Sequence, residues 1–337
     1  MHSFHSIETP THSPGAIAMI RVVHPDPASI GLVNPEIGSL RLAKLFDIDE
    51  GVIVRWDEDS IVLMPHGGVA IVRAISQRLS ELGVPIGGEP DPRVIYPEAQ
   101  SEIEALMLLV MAKAASPGAI DVLLEQPARW KLAGIENIAD AAGFTETSVG
   151  ASLNRLITPP IVAAVGRANV GKSTLINALV GEQVALVADM AGTTRDHVGV
   201  LVDLGGLVVR WMDTPGIDER IKDGEEIELA TRAIAQADLI VQCIDSGDDP
   251  GTLDPRLGAA ITPSVPVIRV GTRADLGEHA CSVDVRVTLG QADRSQNIET
   301  LVSTLKETLI PQSAIDDPRP WRFWDGLSVD PTTIDPR

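Results

Sequence analysis

The sequence is poor in several features that would place it in a specialised class of protein. Its 337 residues include two cysteines, Cys243 and Cys281, too few for a disulfide-rich secreted scaffold. Residues 1–14 lack the apolar run of a signal peptide. The longest apolar stretch, around residues 106–112, is far shorter than the roughly 20 residues that cross a membrane. We therefore expect a soluble cytoplasmic protein that does not associate with membranes.

Positive charge and aromatic residues are also scarce. The chain has 27 Lys and Arg residues against 47 Asp and Glu, a formal net charge of −20. Such a surface repels a phosphate backbone on average, which disfavours broad electrostatic binding of nucleic acid but leaves room for a local basic patch. Only 3% of the residues are aromatic while 44% are hydrophobic, so we expect a globular protein with a mostly aliphatic core.

The first half of the chain divides into two segments. Residues 1–97 predict a small α+β domain. Its expected elements are strands at Ala16–Val23, Val52–Trp56 and Ser60–Met64 and a helix at Val69–Leu82. Residues 98–158 predict a short helical region that ends at Pro159-Pro160. Its expected helices are Glu102–Ala115, Ile120–Glu125, Ile135–Ala142 and Thr147–Leu156.

The second half begins with alternating β and α patterns. The expected strands are Ile161–Val165, Leu207–Met212, Leu239–Ile244, Val265–Val270 and Val283–Val287, and the expected helices are Lys172–Val180, Glu225–Ala235 and Ile298–Leu309. Short, continuously apolar strands predict a doubly wound α/β domain over residues 159–310, with a mostly parallel sheet covered on both faces. The Pro- and Asp-rich tail, residues 311–337, either docks through Trp321 and Trp324 or stays loosely ordered.

The strongest motif follows the first strand of this α/β domain and opens its first helix. It matches the P-loop pattern G-x-x-x-x-G-K-[ST], whose backbone N–H groups surround phosphate oxygens. Its residues are Gly166, Arg167, Ala168, Asn169, Val170, Gly171, Lys172, Ser173 and, directly after, Thr174. Lys172 is expected to reach the β- and γ-phosphates, and the Ser173 hydroxyl to bind Mg²⁺. The alternative, an ordinary glycine-rich turn, would not need the strand and helix on either side.

Two further motifs are expected near the γ-phosphate. Asp213-Thr214-Pro215-Gly216 follows a strand, so Asp213 is placed to hold Mg²⁺ through water and Gly216 to donate its N–H to the γ-phosphate. The alternative is a plain turn with Pro at its second position. Between this motif and the P-loop, Thr193 or Thr194 could bind Mg²⁺ only while the γ-phosphate is present, which would make a switch. The alternative there is a solvated polar loop.

The segment Thr272-Arg273-Ala274-Asp275 is the candidate base-recognition site. The Asp275 carboxylate can accept two hydrogen bonds from guanine, whereas adenine would leave it unpaired, so we expect binding of GTP and GDP. The usual pattern is Asn-Lys-x-Asp. Because Thr272 and Arg273 replace its first two residues, we expect a reduced affinity for guanine.

The group that assists hydrolysis is less evident. Ile217 follows Gly216, and an apolar side chain cannot orient the attacking water as a glutamine would. Asn169 in the P-loop could instead help to hold a K⁺ ion beside the β- and γ-phosphates, where it would stabilise charge in the transition state. The alternative is that Asn169 only stabilises the loop.

Together these residues resemble the TrmE/Era/Der branch of GTPases. The motifs that carry the resemblance are GRANVGKST, AGTTRD and DTPG, and within that branch the N-terminal segments ETP, PGAIAMIRV and HGG resemble the MnmE (TrmE) family of tRNA-modification GTPases. The resemblance covers roughly residues 7–310 and implies a P-loop GTPase domain inserted after an N-terminal α+β domain and a helical region.

The resemblance also implies an activity and its partners. These are a K⁺-stimulated GTPase that dimerises through its N-terminal domain, a bound tetrahydrofolate derivative, and a flavin-dependent subunit with which it modifies the wobble uridine of tRNA. It further implies an acid that positions the attacking water. Asp223 is the nearest acid by its spacing before Glu228, and Glu225 is the alternative.

The C-terminus departs from the family pattern. The chain ends in Ile334-Asp335-Pro336-Arg337 where the family has a Cys-x-Gly-Lys motif. This departure leaves two alternatives to tRNA modification. One is a nucleotide-gated scaffold or ribosome-assembly GTPase that has lost the modification chemistry, and the other is a related protein that binds GTP but hardly hydrolyses it.

Overall fold

The computed structural model describes most of the chain. The described residues are 3–9, 15–56, 58, 60–87, 92–96, 98–144, 148–182, 199–216, 224–245, 253–274, 282–288 and 294–327. The chain divides into two compact units. Unit 1 comprises Met1–Lys113 and Glu136–Ile138, and unit 2 comprises Ala114–Ile135 and Ala139–Arg337. Within the described ranges, no helix has the length and hydropathy that a membrane crossing requires.

Unit 1 is built on a five-stranded antiparallel sheet. Its strands are β1 (Phe4–Ile7), β2 (Ile20–Val23), β3 (Leu40–Leu45), β4 (Asp49–Arg55) and β5 (Ser60–Met64), and its helices are α1 (Val69–Glu81), α2 (Pro92–Ile95) and α3 (Glu102–Lys113). The strand order is β1-β2-β5-β4-β3, and all neighbours are antiparallel. The core forms where Ile75 and Leu79 of α1 pack against Ile53, Ile61 and Leu63 of the sheet.

Unit 2 is built on a six-stranded sheet with helices before, between and after its strands. Its helices are α4 (Ala119–Leu124), α5 (Gln126–Leu132), α6 (Ser148–Leu153), α7 (Lys172–Glu182), α8 (Glu225–Gln236), α9 (Pro255–Ala260), α10 (Arg294–Leu309) and α11 (Gln312–Ile315). Its strands are β6 (Ile161–Val165), β7 (Gly199–Asp203), β8 (Val208–Asp213), β9 (Leu239–Ile244), β10 (Val267–Thr272) and β11 (Val285–Val287).

The order of the second sheet is β11-β10-β9-β6-β8-β7. All neighbours are parallel except β7 and β8, which form an antiparallel edge. Ala163 and Val165 of β6 pack with α8 and α9 on one face, while Val162 and Ala164, which point to the other face, are also fully buried. The predicted α/β class with a mostly parallel sheet is confirmed.

One expected element in the first half of the chain is too long, and another is wrong. The strand expected at Ala16–Val23 begins only at Ile20, because the preceding residues pair irregularly with the loop at 65–67, as in the bond from Ala18 N to Pro65 O. The helix expected at Ile135–Ala142 is absent apart from a short 3₁₀ turn at Asp140–Gly143. There the Ile138 N–H donates to the Glu102 carboxylate at 2.9 Å, a tertiary partner that replaces a helical carbonyl.

Helix α5, which contains Pro127, is not among the expected helices. The proline lies in the first turn, where its missing N–H has no helical partner to lose.

The tail docks on unit 2 as far as Leu327. Trp321 and Phe323 are buried, and the Trp321 side chain donates to Asn154 Oδ1 at 2.9 Å. The Trp130 side chain in turn donates to the Trp321 carbonyl at 3.1 Å, and its ring packs against Trp324. Of the two alternatives for the tail, docking is correct over these residues, and 328–337 lie outside the described part of the chain.

Candidate functional site

The site lies at the carboxyl edge of the parallel strands of unit 2. Strands β6, β8, β9 and β10 are neighbours in the sheet and run in the same direction. The residues that follow or end them are Gly166, Asp213, Asp245 and Arg273. Ligands of open α/β sheets bind at this edge, because the strand ends and the helix N-termini meet there.

The P-loop has the backbone conformation of a phosphate cradle. Gly166 has φ +154° and Gly171 has φ +103°, which glycine adopts readily, and Asn169 has φ +60°, a conformation that Asn tolerates better than most residues. A Cβ on residue 166 would lie 2.7 Å from the Cys243 carbonyl oxygen, so glycine is also required there for space. The loop leads directly into the N-terminus of α7, where the helix dipole favours an anion.

Lys172 is the buried cation of this loop. Its ammonium donates to the carbonyls of Gly166 at 3.2 Å and Arg167 at 3.0 Å, within the loop itself. Burial lowers the pKa of Lys172, and the nearby Asp213 carboxylate partly offsets that effect. The loop therefore places a positive charge where phosphates would enter.

Ser173 and Asp213 form the candidate Mg²⁺ site. The Ser173 hydroxyl donates to Asp213 Oδ2 at 2.7 Å, which joins α7 to the end of β8. Within the described residues, no group of three His, Cys, Asp or Glu side chains could hold a metal ion. A hydroxyl and one carboxylate suit Mg²⁺, because that ion keeps several waters and takes further oxygens from substrate phosphates. The donor set therefore fits the expected metal.

Gly216 is packed tightly against the P-loop. A Cβ at this position would lie 2.7 Å from the Ala168 N and 3.0 Å from the Lys172 ammonium nitrogen. The turn is fixed by Thr214, which is buried and whose hydroxyl donates to the Ala164 carbonyl at 2.7 Å. The backbone of residue 216 thus lies beside the ammonium group that is expected to bind the γ-phosphate.

The end of β10 is also tied to the P-loop. The Thr272 hydroxyl lies 2.6 Å from the Val170 carbonyl, and the Arg273 guanidinium donates to the Asn169 carbonyl at 2.7 Å. Arg273 also pairs with Asp245 at 3.0 Å. The predicted base-recognition segment and the predicted phosphate loop are therefore in direct contact.

Some predicted residues cannot be placed with these. Thr193, Thr194, Asp223 and Asp275 lie outside the described residues. Glu225 is the first residue of α8, and its side chain is not among those described. Thr174 lies exposed in the first turn of α7. Their roles stay predictions.

Sequence reasoning missed two residues that shape the site. Thr214 was treated only as a turn residue, although it fixes the position of Gly216, and its hydroxyl next to a strand end was the available signal. Asp245 directly follows the apolar strand β9, and a carboxylate at that edge of a parallel sheet could have been singled out. Cys243 on β9 is buried, and burial raises the pKa of its thiol to about 12.

Comparisons with known proteins agree with this geometry. Residues 161–270 match the family model described as 50S ribosome-binding GTPase. The chain is 38% identical over 190 residues to the tRNA modification GTPase MnmE of Acidiphilium cryptum (strain JF-5), covering 54% of this chain and 42% of that protein. It is 34% identical over 189 residues to the MnmE of Janthinobacterium sp. (strain Marseille), covering 54% and 40%. The chain thus spans about two fifths of the length of these relatives.

A solved structure of Era in complex with MgGDPNP and a 16S ribosomal RNA segment is 27% identical, covers 43% of this chain and 56% of that one, and has a TM-score of 0.32. With the P-loop geometry and the sequence relatives together, the chain is a GTP-binding protein that contains a GTPase domain and resembles the tRNA modification GTPase MnmE.

Proposed function

We propose that this chain is a Mg²⁺-dependent GTP hydrolase of the MnmE type. The observation that carries the proposal is the contact between Ser173 and Asp213 at 2.7 Å, next to the buried Lys172 and the closely packed Gly216. These four residues come from two separate segments of the chain, and each matches a role in phosphoryl transfer.

In the proposed mechanism the protein positions GTP and stabilises charge. Lys172 holds the β- and γ-phosphates, and the Gly216 N–H donates to the γ-phosphate. Ser173, Asp213 and, in the triphosphate state, Thr194 or Thr193 would hold Mg²⁺. That ion, when bound, neutralises charge on the phosphate oxygens. Water attacks in line with the leaving oxygen, oriented by Asp223 or Glu225.

We propose that Asp275 recognises the nucleotide base, because its carboxylate can accept hydrogen bonds from guanine. Support for this comes from the neighbouring Thr272 and Arg273, which place the start of that segment against the P-loop. A single nucleotide could therefore place its base at this segment and its phosphates in the P-loop.

Asn169 is proposed to help hold a K⁺ ion beside the phosphates. Its left-handed backbone, with φ +60°, turns this residue to the exposed side of the loop. K⁺ supplies, when bound, a fixed positive charge near the developing negative charge. Replacing K⁺ by Na⁺ should slow GTP turnover, and equal rates in both salts would remove the role of Asn169.

The metal site is tested by two substitutions. Ser173→Ala and Asp213→Asn should each lower GTP turnover about hundredfold. The first removes a hydroxyl ligand of Mg²⁺, and the second removes the carboxylate charge that holds the ion through water. Raising the Mg²⁺ concentration should recover part of the loss. Ser152→Ala, which changes a half-buried serine of α6, is the matched control and should turn over GTP normally. Normal turnover by the Ser173 and Asp213 variants would contradict the proposal.

The proposed cellular role is tRNA modification with a flavin-dependent partner subunit, in the cytoplasm. It is supported by relatives that are named for that activity, of which the chain spans about two fifths. Because the net charge is −20, we expect RNA to be contacted at a local patch or through the partner. Nucleoside mass spectrometry of tRNA from cells that lack the gene should show loss of a wobble-uridine modification. An unchanged profile would contradict this role.

A homodimer formed through unit 1 is part of the proposal. Leu40 and Leu42 of the edge strand β3 are 66% and 67% exposed, and by register they share a sheet face with Val52 and Val54. Trp56 follows on the same face and is 54% exposed. An apolar face at a sheet edge is a surface on which a second copy could pack.

The dimer is tested by sedimentation velocity. Leu42→Glu should convert a dimer to a monomer, while Leu132→Glu, at a position of unit 2 that is 90% exposed, should leave it intact. A monomeric parent protein, or a dimer that survives Leu42→Glu, would contradict this arrangement.

The tetrahydrofolate derivative that the resemblance implies finds no support in the described part of unit 1. The buried cation there is Arg21, and the Glu8 carboxylate already pairs with it at 2.5 Å. A folate carboxylate would have to displace Glu8, so we derive no chemical step from this cofactor.

A further inference from the structure

One side chain connects three segments of the nucleotide site. The Arg273 guanidinium donates to the Asn169 carbonyl in the P-loop at 2.7 Å and pairs with the Asp245 carboxylate after β9 at 3.0 Å. Arg273 itself follows β10. The P-loop and the ends of β9 and β10 are therefore joined at a single planar group, whose fork of donors suits two acceptors at once.

The P-loop carbonyl that Arg273 binds belongs to a residue in an unusual conformation. Asn169 has φ +60°, and Arg273 has φ +54°, so both sit in the left-handed region that non-glycine residues rarely adopt. Such conformations persist when the surrounding contacts over-determine them. The bond from Arg273 to the Asn169 carbonyl is a contact of that kind.

A second bond acts on the next residue of the loop. The Thr272 hydroxyl lies 2.6 Å from the Val170 carbonyl and is buried. Two successive P-loop carbonyls, at 169 and 170, are thus turned toward β10. Each carbonyl points opposite to the N–H of the same peptide plane, so the Gly171 N–H, which follows the Val170 carbonyl, is turned away from β10. The Val170 N–H, which follows the Asn169 carbonyl, meets the Arg167 carbonyl at 3.4 Å and closes the turn of the loop.

The pair of Arg273 with Asp245 cannot be explained by its contribution to folding. The two side chains are 46% and 26% exposed, and ion pairs at such exposure contribute little to stability. Asp245 does, however, hold the guanidinium in the orientation in which it meets the Asn169 carbonyl.

We propose that Arg273, oriented by Asp245, is a positioning residue that sets the phosphate affinity of the P-loop. It acts through the Asn169 carbonyl, and Asp245 is required for its effect. This inference rests on the proposed function. It adds that Arg273, which stands where the usual Asn-Lys-x-Asp pattern has Lys, contributes more to phosphate binding than to recognition of the base.

The proposal is tested by measuring GDP and GMP affinities in competition with a fluorescent GDP. The dissociation constant of GMP divided by that of GDP reports the contribution of the β-phosphate to binding. Arg273→Ala should lower this ratio about tenfold, by weakening the binding of GDP far more than that of GMP, because a charge-assisted bond that orients the loop is lost. Equal weakening of GDP and GMP, or no change, would overturn the proposal.

Two more variants test the roles of the partners. Arg273→Lys should recover part of the ratio, since an ammonium can donate to the Asn169 carbonyl but lacks the second arm of the fork. Asp245→Asn should lower the ratio in the parent protein and have no further effect in Arg273→Ala. Additive losses from the two substitutions, or no recovery by lysine, would contradict the assignment.

Controls separate this inference from the proposed function. Arg269→Ala, an exposed arginine on the same strand β10, should leave the ratio unchanged. Melting temperatures of all variants should stay close to the parent value, since the ion pair is exposed. A parent protein that binds GDP no better than ADP would reject the proposed function, whereas guanine-selective binding with an unchanged ratio in Arg273→Ala would reject only this inference.

Discussion

The two sheets of this protein differ in where their buried polar side chains lie and in how far their strands are exposed. In unit 2 the strand β9 is buried along its whole length, and three of the buried polar side chains, Lys172, Thr214 and Thr272, lie at the carboxyl edge of the sheet. In unit 1 the edge strand β3 is mostly exposed, and the buried polar groups His5 and Arg21 are satisfied inside the unit.

This difference indicates where chemistry can occur. A parallel sheet covered on both faces leaves its strand ends as the place for polar groups, and they converge there on a ligand. An antiparallel sheet with one open face supplies a surface instead. The buried polar groups at the carboxyl edge of the unit 2 sheet should therefore matter for GTP turnover, and the buried polar groups of unit 1 for stability.

The largest effect is expected at Lys172. Lys172→Ala should lower GTP turnover about thousandfold, because it removes the buried charge that faces the phosphates, with at most a small change in melting temperature. Lys306→Ala is the control, since that lysine is half-buried on α10 and its ammonium donates to the Gly205 carbonyl rather than to a carbonyl of the P-loop. Turnover that falls equally in both variants would place the catalytic charge elsewhere.

Breaking the buried ion pair of unit 1 should lower stability and leave GTP turnover unchanged. Glu8→Ala leaves Arg21 buried without its carboxylate and should reduce the free energy of unfolding by about 3 kcal/mol. GTP turnover at a temperature where the variant is folded should be unchanged. The control is Glu81→Ala, whose pair with Arg78 is half-exposed and should contribute at most about 1 kcal/mol. Equal, small losses of stability would show that Glu8 and Arg21 are not a buried pair.

A smaller effect on stability is expected from the protonation of His5. This ring is buried, with Nδ1 donating to the Val84 carbonyl at 2.8 Å and Nε2 2.7 Å from the Ser76 hydroxyl. Burial lowers the pKa of His5 from its ordinary value of 6.5, against the opposing effect of its bonds to the backbone at Val84 and Pro85. As pH falls below 6.5, the unfolded chain takes up a proton that the folded chain does not.

The free energy of unfolding should therefore decrease as pH falls from this ordinary value to the lower pKa of the folded state. The slope is at most about 1.4 kcal/mol per pH unit. Urea unfolding between about pH 5 and pH 8 measures it, and His5→Gln should reduce the slope. Identical slopes in the two proteins would show that His5 titrates normally in the folded state.

The P-loop of the site was more predictable from sequence than the edge strand β3 and the tail. The P-loop is contiguous, so its spacing alone predicts a strand, a turn and a helix around Lys172, and the structure agrees. Thr214 and Asp245 matter through contacts with distant segments, the Ala164 carbonyl and Arg273, which no local pattern encodes.

Strand β3 shows why the rest was harder to predict. Its alternating leucines Leu40 and Leu42 would be expected to face a core, yet they are exposed, and Leu45 is the leucine that is buried. The pairing with β4 decides which face is covered, and a pattern of period two cannot distinguish the two faces. The tail was undecided for a similar reason, because Trp321 finds its partner Asn154 far away in sequence.

The central claim, that unit 2 binds guanine nucleotides through its P-loop, is tested most directly by calorimetry with GDP and ADP in the presence of Mg²⁺. We expect GDP to bind at least about a hundredfold more tightly than ADP, because a carboxylate that accepts from guanine is left unpaired by adenine. Equal affinities for the two nucleotides, or no binding of either at micromolar concentrations, would contradict the account.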